Sequence, residues 1–143
     1  MNKRLIYIIT LLSVFFINAQ NLKSPNSEIE LTFSLTKEGT PTYKLSYKDQ
    51  EVIKQSKLGL ELKGDDLISG FTITNTGEST YDNTWETVWG EESSIRNHYN
   101  ELSIELLQEA TNRKILIRFR AFDEGVGFRY EFPKQDNLGH FVV

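Results

Sequence analysis

Apolar and polar residues alternate strictly over the last third of the chain, and this period of two constrains the fold more than any other feature. Apolar side chains occupy every second position over residues 102–106, 115–121 and 128–132. Successive side chains of a β-strand point to opposite faces, so this alternation predicts strands with one apolar face. Residues 123–125 separate the last two runs and predict a hairpin with a three-residue loop.

The first half of the chain repeats the pattern in shorter runs. Residues 29–35 alternate, residues 43–47 alternate again, and Gly39 lies between the two runs. Glycine adopts positive φ without a steric cost, which suits it to a tight turn. Residues 29–47 therefore predict a second hairpin.

The middle of the chain predicts further short strands. Leu58, Leu60 and Leu62 alternate with polar or small residues, and residues 71–73 form another run that ends at a polar turn over residues 75–78. After the apolar N-terminus, no stretch repeats its apolar residues at the spacing of a helix. The predicted fold is all-β and antiparallel, with about eight strands, arranged as a β-sandwich.

The N-terminus has the pattern of a secretory signal. Lys3 and Arg4 precede an apolar run over residues 5–17, and cleavage is predicted after Ala19 or Gln20. The run is shorter than the approximately 20 residues that a membrane-spanning helix needs, so we expect cleavage and no membrane span afterwards. Residues 1–20 are thus assigned to the signal, and residues 21–143 to one domain.

The composition limits the compartment and the partners. The chain has no cysteine, which excludes disulfides and lipid attachment through an N-terminal cysteine, and it carries a net charge of −4. Export without disulfides indicates a bacterial periplasm or outer cell surface. Since nucleic-acid binding calls for a basic face, the acidic balance argues against nucleic acid and against an anionic membrane surface.

Both tryptophans stand close together, at Trp85 and Trp89. In a continuous extended strand their even spacing would place them on one face. Exposed, they could stack on sugar rings; buried, they would be core residues. Burial is the commoner fate of tryptophan, so it is the favoured interpretation. Glycosidases need paired carboxylates, but the acidic residues beside the tryptophans are expected to be solvated.

A polar stretch follows the tryptophans. If residues 96–101 are extended, Arg96, His98 and Asn100 share one face, whereas Asn97, Tyr99 and Glu101 share the other. Neither face is apolar. An edge strand or a buried polar network explains this pattern slightly better than direct contact with a ligand.

Standard catalytic and metal-binding signatures are absent from the sequence. It contains no Gly-x-Ser-x-Gly, no His-Glu-x-x-His, no phosphate-binding glycine-rich loop and no EF-hand spacing. With two histidines only, a histidine metal site would need carboxylates as well. No catalytic residue and no metal ligand is therefore assigned.

Three spaced motifs resemble the N-terminal domain of glycoside hydrolase family 97. They are WETVWGE over residues 85–91, IRNHYNEL over 95–102 and FRAFDEGVGFRY over 119–130. Residues 24–26, 39–43 and 58–60 fit the same pattern. The resemblance implies a β-super-sandwich similar to galactose-mutarotase-like domains. Such a domain needs a longer chain, so residues 21–143 are expected to be an incomplete domain.

The resemblance also implies a function. The family consists of secreted bacterial enzymes that hydrolyse α-glucosides from starch or, in other members, α-galactosides. A (β/α)8 barrel follows the N-terminal domain and carries the catalytic carboxylates, while the N-terminal domain packs on the barrel and helps to wall the sugar site. Glucosidase members bind calcium with a glutamate that is expected beyond Val143, so calcium is implied only for a complete enzyme.

The implied partners are an α-linked oligosaccharide and the catalytic barrel of the same polypeptide. The candidate residues for either contact are Trp85, Trp89, Arg96, His98, Tyr99, Asn100 and Glu101. One alternative is a stand-alone carbohydrate-binding module that holds a glycan through its tryptophans. A sugar epimerase is a weaker alternative, because it rests on fold analogy and needs a histidine acid beside a carboxylate base.

Overall fold

A computed structural model describes residues 19–63 and 66–138. Most of the predicted signal and residues 139–143 lie outside this part. The described residues contain no helix long and apolar enough to cross a membrane. They form two four-stranded antiparallel sheets, which confirms the predicted all-β sandwich.

The eight strands follow one another in each sheet without a crossover. The first sheet has the order β1-β2-β3-β4 and the second β5-β6-β7-β8. The strands are β1 (Gln20–Lys23), β2 (Ile29–Leu35), β3 (Pro41–Tyr47), β4 (Gln50–Lys57), β5 (Phe71–Glu86), β6 (Ser94–Gln108), β7 (Arg113–Ala121) and β8 (Val126–Glu131).

The predicted hairpin over residues 29–47 is confirmed, since β2 and β3 pair from Ile29↔Tyr47 to Leu35↔Pro41. Gly39 adopts φ 71° in its turn. The turn also reaches the second sheet, because the Phe71 amide donates to the Gly39 carbonyl over 3.0 Å. The glycine thus positions the start of β5.

The core lies between the sheets and consists of the alternating apolar residues. Phe33 of β2 and Phe119 of β7 are fully buried, with ring centres 6.0 Å apart. The other members of the core cluster are Leu22, Leu31, Leu58, Leu67, Phe71, Leu102, Ile104, Leu106, Ile115, Ile117 and Ala121. Each buried Leu, Ile or Phe contributes about 1.5–3 kcal/mol relative to an exposed one.

The predicted turn over residues 75–78 is wrong. These residues lie within β5, which pairs with β6 continuously on both sides of a bulge between Ile73 and Asn75. A Cβ on Gly77 would lie 2.9 Å from the Ser103 hydroxyl of β6, and that hydroxyl donates to the Gly77 carbonyl over 3.2 Å. The glycine therefore admits a cross-strand contact and does not make a turn.

Two other local predictions need correction. Residues 58–62 form no strand; Leu60 makes one isolated bridge to Leu67. The last pair of the β7–β8 hairpin is Ala121↔Val126, so Phe122 belongs to the loop, and its amide donates to the Gly125 carbonyl over 2.8 Å. That bond closes a loop one residue longer than predicted.

The β5–β6 hairpin extends well beyond the rest of its sheet. β7 pairs with β6 only as far as Asn100↔Ala121. Beyond this point β5 and β6 pair with each other and with no other described strand, from Tyr81↔Tyr99 to Glu86↔Ser94. We call residues 81–99 the arm. All seven candidate contact residues named from the sequence lie on the arm or at its base.

Candidate functional site: the arm and its base

The tip of the arm exposes apolar side chains. Trp89 is 90% exposed, Val88 is 89% exposed and Trp85 is 52% exposed, so the expectation that the tryptophans are buried is wrong. They are also not on one strand, because β5 ends at Glu86 and Trp89 lies in the connecting loop. The Thr87 amide donates to the Ser93 carbonyl over 3.1 Å and closes that loop.

An ion pair joins the two strands of the arm. Arg96 donates from Nε and Nη2 to the two carboxylate oxygens of Asp82, over 2.8 and 2.6 Å. These hydrogen bonds lower the pKa of Asp82 despite the opposing effect of desolvation. His98 pairs with Asp82 in the strand register, but the carboxylate is already occupied by arginine. This arrangement does not supply the free carboxylate base that an epimerase needs.

Tyr99 and Asn100 attach the arm to the sandwich. Tyr99 is buried, stacks on Tyr81 with ring centres 5.3 Å apart and contacts Phe122 at 5.2 Å. Asn100 donates to the Lys23 carbonyl of β1 over 2.9 Å. The base of the arm is therefore fixed to both sheets, whereas its tip is not.

Glu101 is the centre of an ionic network on the outer face of the second sheet. Its side chain is only 10% exposed and accepts hydrogen bonds from Arg120 Nε over 2.7 Å and from Arg118 Nη1. Arg118 also donates from Nε to Glu131 over 2.9 Å, and Arg129 does so over 2.7 Å. The network therefore spans β6, β7 and β8.

Burial and hydrogen bonding act in opposite directions on these carboxyls. Desolvation by itself would raise the pKa of Glu101, but the hydrogen bonds from Arg120 and Arg118 outweigh it and lower the pKa. The pKa of Glu131 is lowered by its hydrogen bond from Arg118. Both carboxyls are held ionised, which excludes either one as a proton donor at neutral pH.

The acidic residues that cluster in the sequence lie in two different places in the structure. Glu86, Glu91 and Glu92 are exposed near the tip, whereas Glu101 is buried at the base with its arginines. Within residues 19–63 and 66–138, no three His, Asp or Glu side chains are placed to hold a metal ion. The carboxylates of Asp82 and Glu101 are taken by arginines, so this donor set does not fit calcium.

Sequence reasoning found Glu101 but missed its partners. Arg118 and Arg120 occupy the polar positions of an alternating strand, where a charged residue is ordinarily solvated. Two arginines on one face of β7, beside a strand that carries glutamates, were the available signal. That signal became decisive only once the register paired Glu101 with Arg120.

A single protein family matches the region that contains all three sequence motifs. The glycosyl-hydrolase 97 N-terminal family matches residues 22–143, which include every strand except the first residues of β1. This chain belongs to that family. The arm, its base and the FRAFDEGVGFRY hairpin of β7 and β8 all lie within the matched region.

Solved enzyme structures share the fold, and family 97 enzymes are among them. An enzyme from Pseudoalteromonas sp. strain K8 in complex with panose is 32% identical, with a TM-score of 0.79 over 85% of this chain. The enzyme from that strain in complex with acarbose gives the same values. A β-arabinopyranosidase is 26% identical, with a TM-score of 0.74 over 82% of this chain. The chain spans 19% of the length of the first two structures and 18% of the third.

Proposed function

We propose that this chain acts as the non-catalytic N-terminal domain of an exported bacterial glycosidase, supporting a catalytic (β/α)8 barrel and walling its sugar site. Family membership supports the placement in a glycoside hydrolase. The sugar complexes of the relatives support an α-linked oligosaccharide as the ligand, with α-glucosides or α-galactosides as the proposed substrates. Calcium, in this proposal, binds to parts of a complete enzyme outside the described residues.

The observation that carries the supporting role is the exposed tip of the arm. A two-stranded hairpin is only marginally stable by itself in water. This one also presents Trp85, Val88 and Trp89 to solvent, which is unfavourable unless another surface covers them. Docking on a barrel would bury these side chains and would stabilise the arm. The ion pair of Arg96 with Asp82 would keep the arm extended for docking.

A chimeric enzyme tests this role. The matched segment of the Pseudoalteromonas enzyme is replaced by residues 22–143, and panose hydrolysis and Tm are measured for the chimera and for its Trp85→Ala/Trp89→Ala variant. We expect the double variant to have a lower Tm and a lower kcat/KM than the chimera without these substitutions. The matched control is Val52→Ala, which removes an exposed apolar side chain from β4. Equal Tm and kcat/KM in the double variant and the control would contradict the docking role.

The non-catalytic role has its own test. The chain without a barrel is assayed against p-nitrophenyl α-glucoside and α-galactoside. We expect no release of nitrophenol, because Glu101 and Glu131 are held ionised by arginines and the carboxylates near the arm tip are exposed. Turnover that survives repurification and disappears in Glu101→Gln would overturn this part.

Export is proposed from the N-terminal pattern. Cleavage after Ala19 leaves β1 intact, whereas cleavage after Gln20 removes the residue that pairs with Phe33. We therefore favour Ala19. The mass of the product recovered from the periplasm or medium checks this: a product that still carries Lys3 and Arg4 would contradict export by a cleaved signal.

A second candidate, a stand-alone sugar-binding module, is favoured by the same exposed rings. Trp89 and Trp85 are accessible to a sugar ring, which aromatic faces bind by stacking. Titration with maltooligosaccharides and with α-galactosides is followed by tryptophan fluorescence. Saturable quenching that Trp89→Ala abolishes would support this function. No response at millimolar sugar, in a sample shown to be folded by circular dichroism, would remove it.

A further inference from the structure

A shallow cleft on the outer face of the second sheet has Gly127 at its floor. Gly127 of β8 pairs with Arg120 of β7, and a Cβ on Gly127 would meet no atom within 4 Å. The cleft has a volume of about 190 Å³. It is lined by Arg118, Arg120, Phe122, Gly127, Phe128 and Arg129. The glycine thus leaves a gap in a row of arginines.

Two of these arginines retain unused hydrogen-bond donors. Arg120 donates its Nε–H to Glu101, and none of the described residues accepts from its Nη groups. Arg129 contacts Glu131 through Nε and Nη2, which leaves Nη1. Its side chain is 59% exposed. An arginine presents donors in a planar fork that matches the two oxygens of a carboxylate.

The guanidiniums are held in position before any ligand arrives. Glu101 and the Tyr99 ring fix Arg120, whose guanidinium carbon lies 4.4 Å from the ring centre. Glu131 fixes Arg129. Because these side chains are already ordered, a ligand would lose little of its binding energy to immobilising them.

The charge of the cleft favours an anion. Arg118, Arg120 and Arg129 contribute three positive charges, whereas the network contains two carboxylates, Glu101 and Glu131. One positive charge is therefore uncompensated within the network. A ligand carboxylate would neutralise it and would accept from the unused donors.

We propose that the Gly127 cleft binds an acidic sugar, a uronate, through its carboxylate. The volume corresponds to about six water molecules, which suits one sugar ring. Phe122 gives the cleft an apolar wall against which the C–H face of a sugar ring can pack. None of the residues that line the cleft belongs to the arm tip.

Substitution at Gly127 gives a direct test, because a Cβ added there would meet no atom within 4 Å and a larger side chain would occupy the cleft. Gly127 lies in a β-strand outside the left-handed region, so Gly127→Val is expected to fold. The 143-residue chain is titrated with sodium glucuronate while the amide signals of residues 120 and 127–129 are followed by NMR. We expect saturable shifts in the wild type and none at these sites in Gly127→Val.

Two further variants separate the site from general effects. Arg129→Gln removes the exposed donor and should weaken glucuronate binding about tenfold, as expected for one charge-assisted hydrogen bond. Gly125→Ala adds a methyl group in open space outside the cleft and should bind as the wild type does. Equal binding by Gly127→Val and the wild type would overturn the proposal.

The choice of probes tests the ligand class. Glucose matches the ring without the charge, and acetate matches the carboxylate without the ring. Tighter binding of glucuronate than of either probe supports a uronate site. Glucose binding as tight as glucuronate would overturn the role of the arginines, and acetate binding as tight would overturn the role of the sugar ring. No shift with glucuronate at 20-fold excess over about 1 mM chain would overturn the site itself.

Discussion

The guanidinium of Arg120 lies over the face of the Tyr99 ring, with its central carbon 4.4 Å from the ring centre. The same guanidinium donates from Nε to Glu101. Tyr99 stacks on Tyr81 at the base of the arm. One arginine therefore connects the aromatic base of the arm to the ionic network of the sheet, and its position depends on Glu101.

Glu101→Gln should destabilise the fold. A neutral amide cannot satisfy Arg118 and Arg120 together, so two partly buried guanidiniums lose a charged acceptor. Losses of hydrogen bonds to charged groups are typically about 1.5–3 kcal/mol, and we expect the free energy of unfolding to fall by about 2 kcal/mol. Urea denaturation followed by circular dichroism measures the change.

The control for that measurement is Glu124→Gln, which removes an exposed charge in the β7–β8 loop. It should change the free energy of unfolding by less than about 0.5 kcal/mol. If both substitutions cost the same, the effect would come from net charge and not from the network.

The network should also make stability depend on pH. Hydrogen bonds from arginine lower the pKa of Glu101, against desolvation, and of Glu131 in the folded chain. In the unfolded chain each returns to about 4.3, so the unfolded state binds protons first as pH falls. The stabilisation is present above about pH 5 and is lost as pH falls through the folded pKa values. The urea concentration at the unfolding midpoint, measured at pH 7, 5, 4 and 3, should fall mainly below pH 5.

Glu101→Gln provides the control for the pH experiment. Because one of the two carboxyls is gone, the decline below pH 5 should be shallower than in the wild type. Parallel pH curves for the two proteins would show that other carboxyls cause the acid sensitivity.

Gly39→Ala should be strongly destabilising. Gly39 has φ 71°, and an added Cβ would lie 2.5 Å from the backbone nitrogen of Phe71. Backbone cannot move aside as a flexible side chain can, and the turn would have to separate from β5. We expect a loss of more than about 2 kcal/mol, beyond the usual cost of positive φ for alanine. Gly125→Ala, with nothing within 4 Å, is the matched control and should be nearly neutral.

The sequence predicted what depends on local pattern and missed what depends on cross-strand contact. The alternation of β7 identified Phe119 as a core residue, because period two by itself assigns a face. Gly77 was misread as a turn residue, since only the pairing with Ser103 reveals why a small residue is needed there. A tight turn and a close contact between strands both favour glycine, so the residue type does not distinguish them.

For the candidate site, too, one part was predictable from the sequence and another part was not. A stretch from Arg96 to Glu101 with no apolar face correctly indicated an unusual strand, and part of it is a buried polar network as expected. The exposure of Trp89 could not be predicted, because the average burial of tryptophan outweighs any local signal. Exposure here follows from the length of β5 and β6 relative to β7, which no short-range pattern encodes.

Calcium should leave the stability of this chain unchanged. Asp82, Glu101 and Glu131 already accept hydrogen bonds from arginines, and the other described acidic side chains form no metal-binding group. Displacing arginine from a carboxylate would leave guanidinium groups without partners. Thermal unfolding in EDTA and in millimolar calcium should give the same Tm; a rise of several degrees with calcium, and not with magnesium, would reveal a site in this chain.

Trp89→Ala should leave the isolated fold intact, because the side chain is 90% exposed and does not belong to the core cluster. We expect a change of less than about 0.5 kcal/mol in the free energy of unfolding. Phe119→Ala, which empties a fully buried position in the core, should cost about 3–5 kcal/mol in the same experiment. Acrylamide should quench Trp89 in a Trp85→Phe background as readily as it quenches free tryptophan. Protection of Trp89 from acrylamide, or a loss of stability near that of Phe119→Ala, would mean that the arm folds back on the sandwich and does not present its tip to a partner.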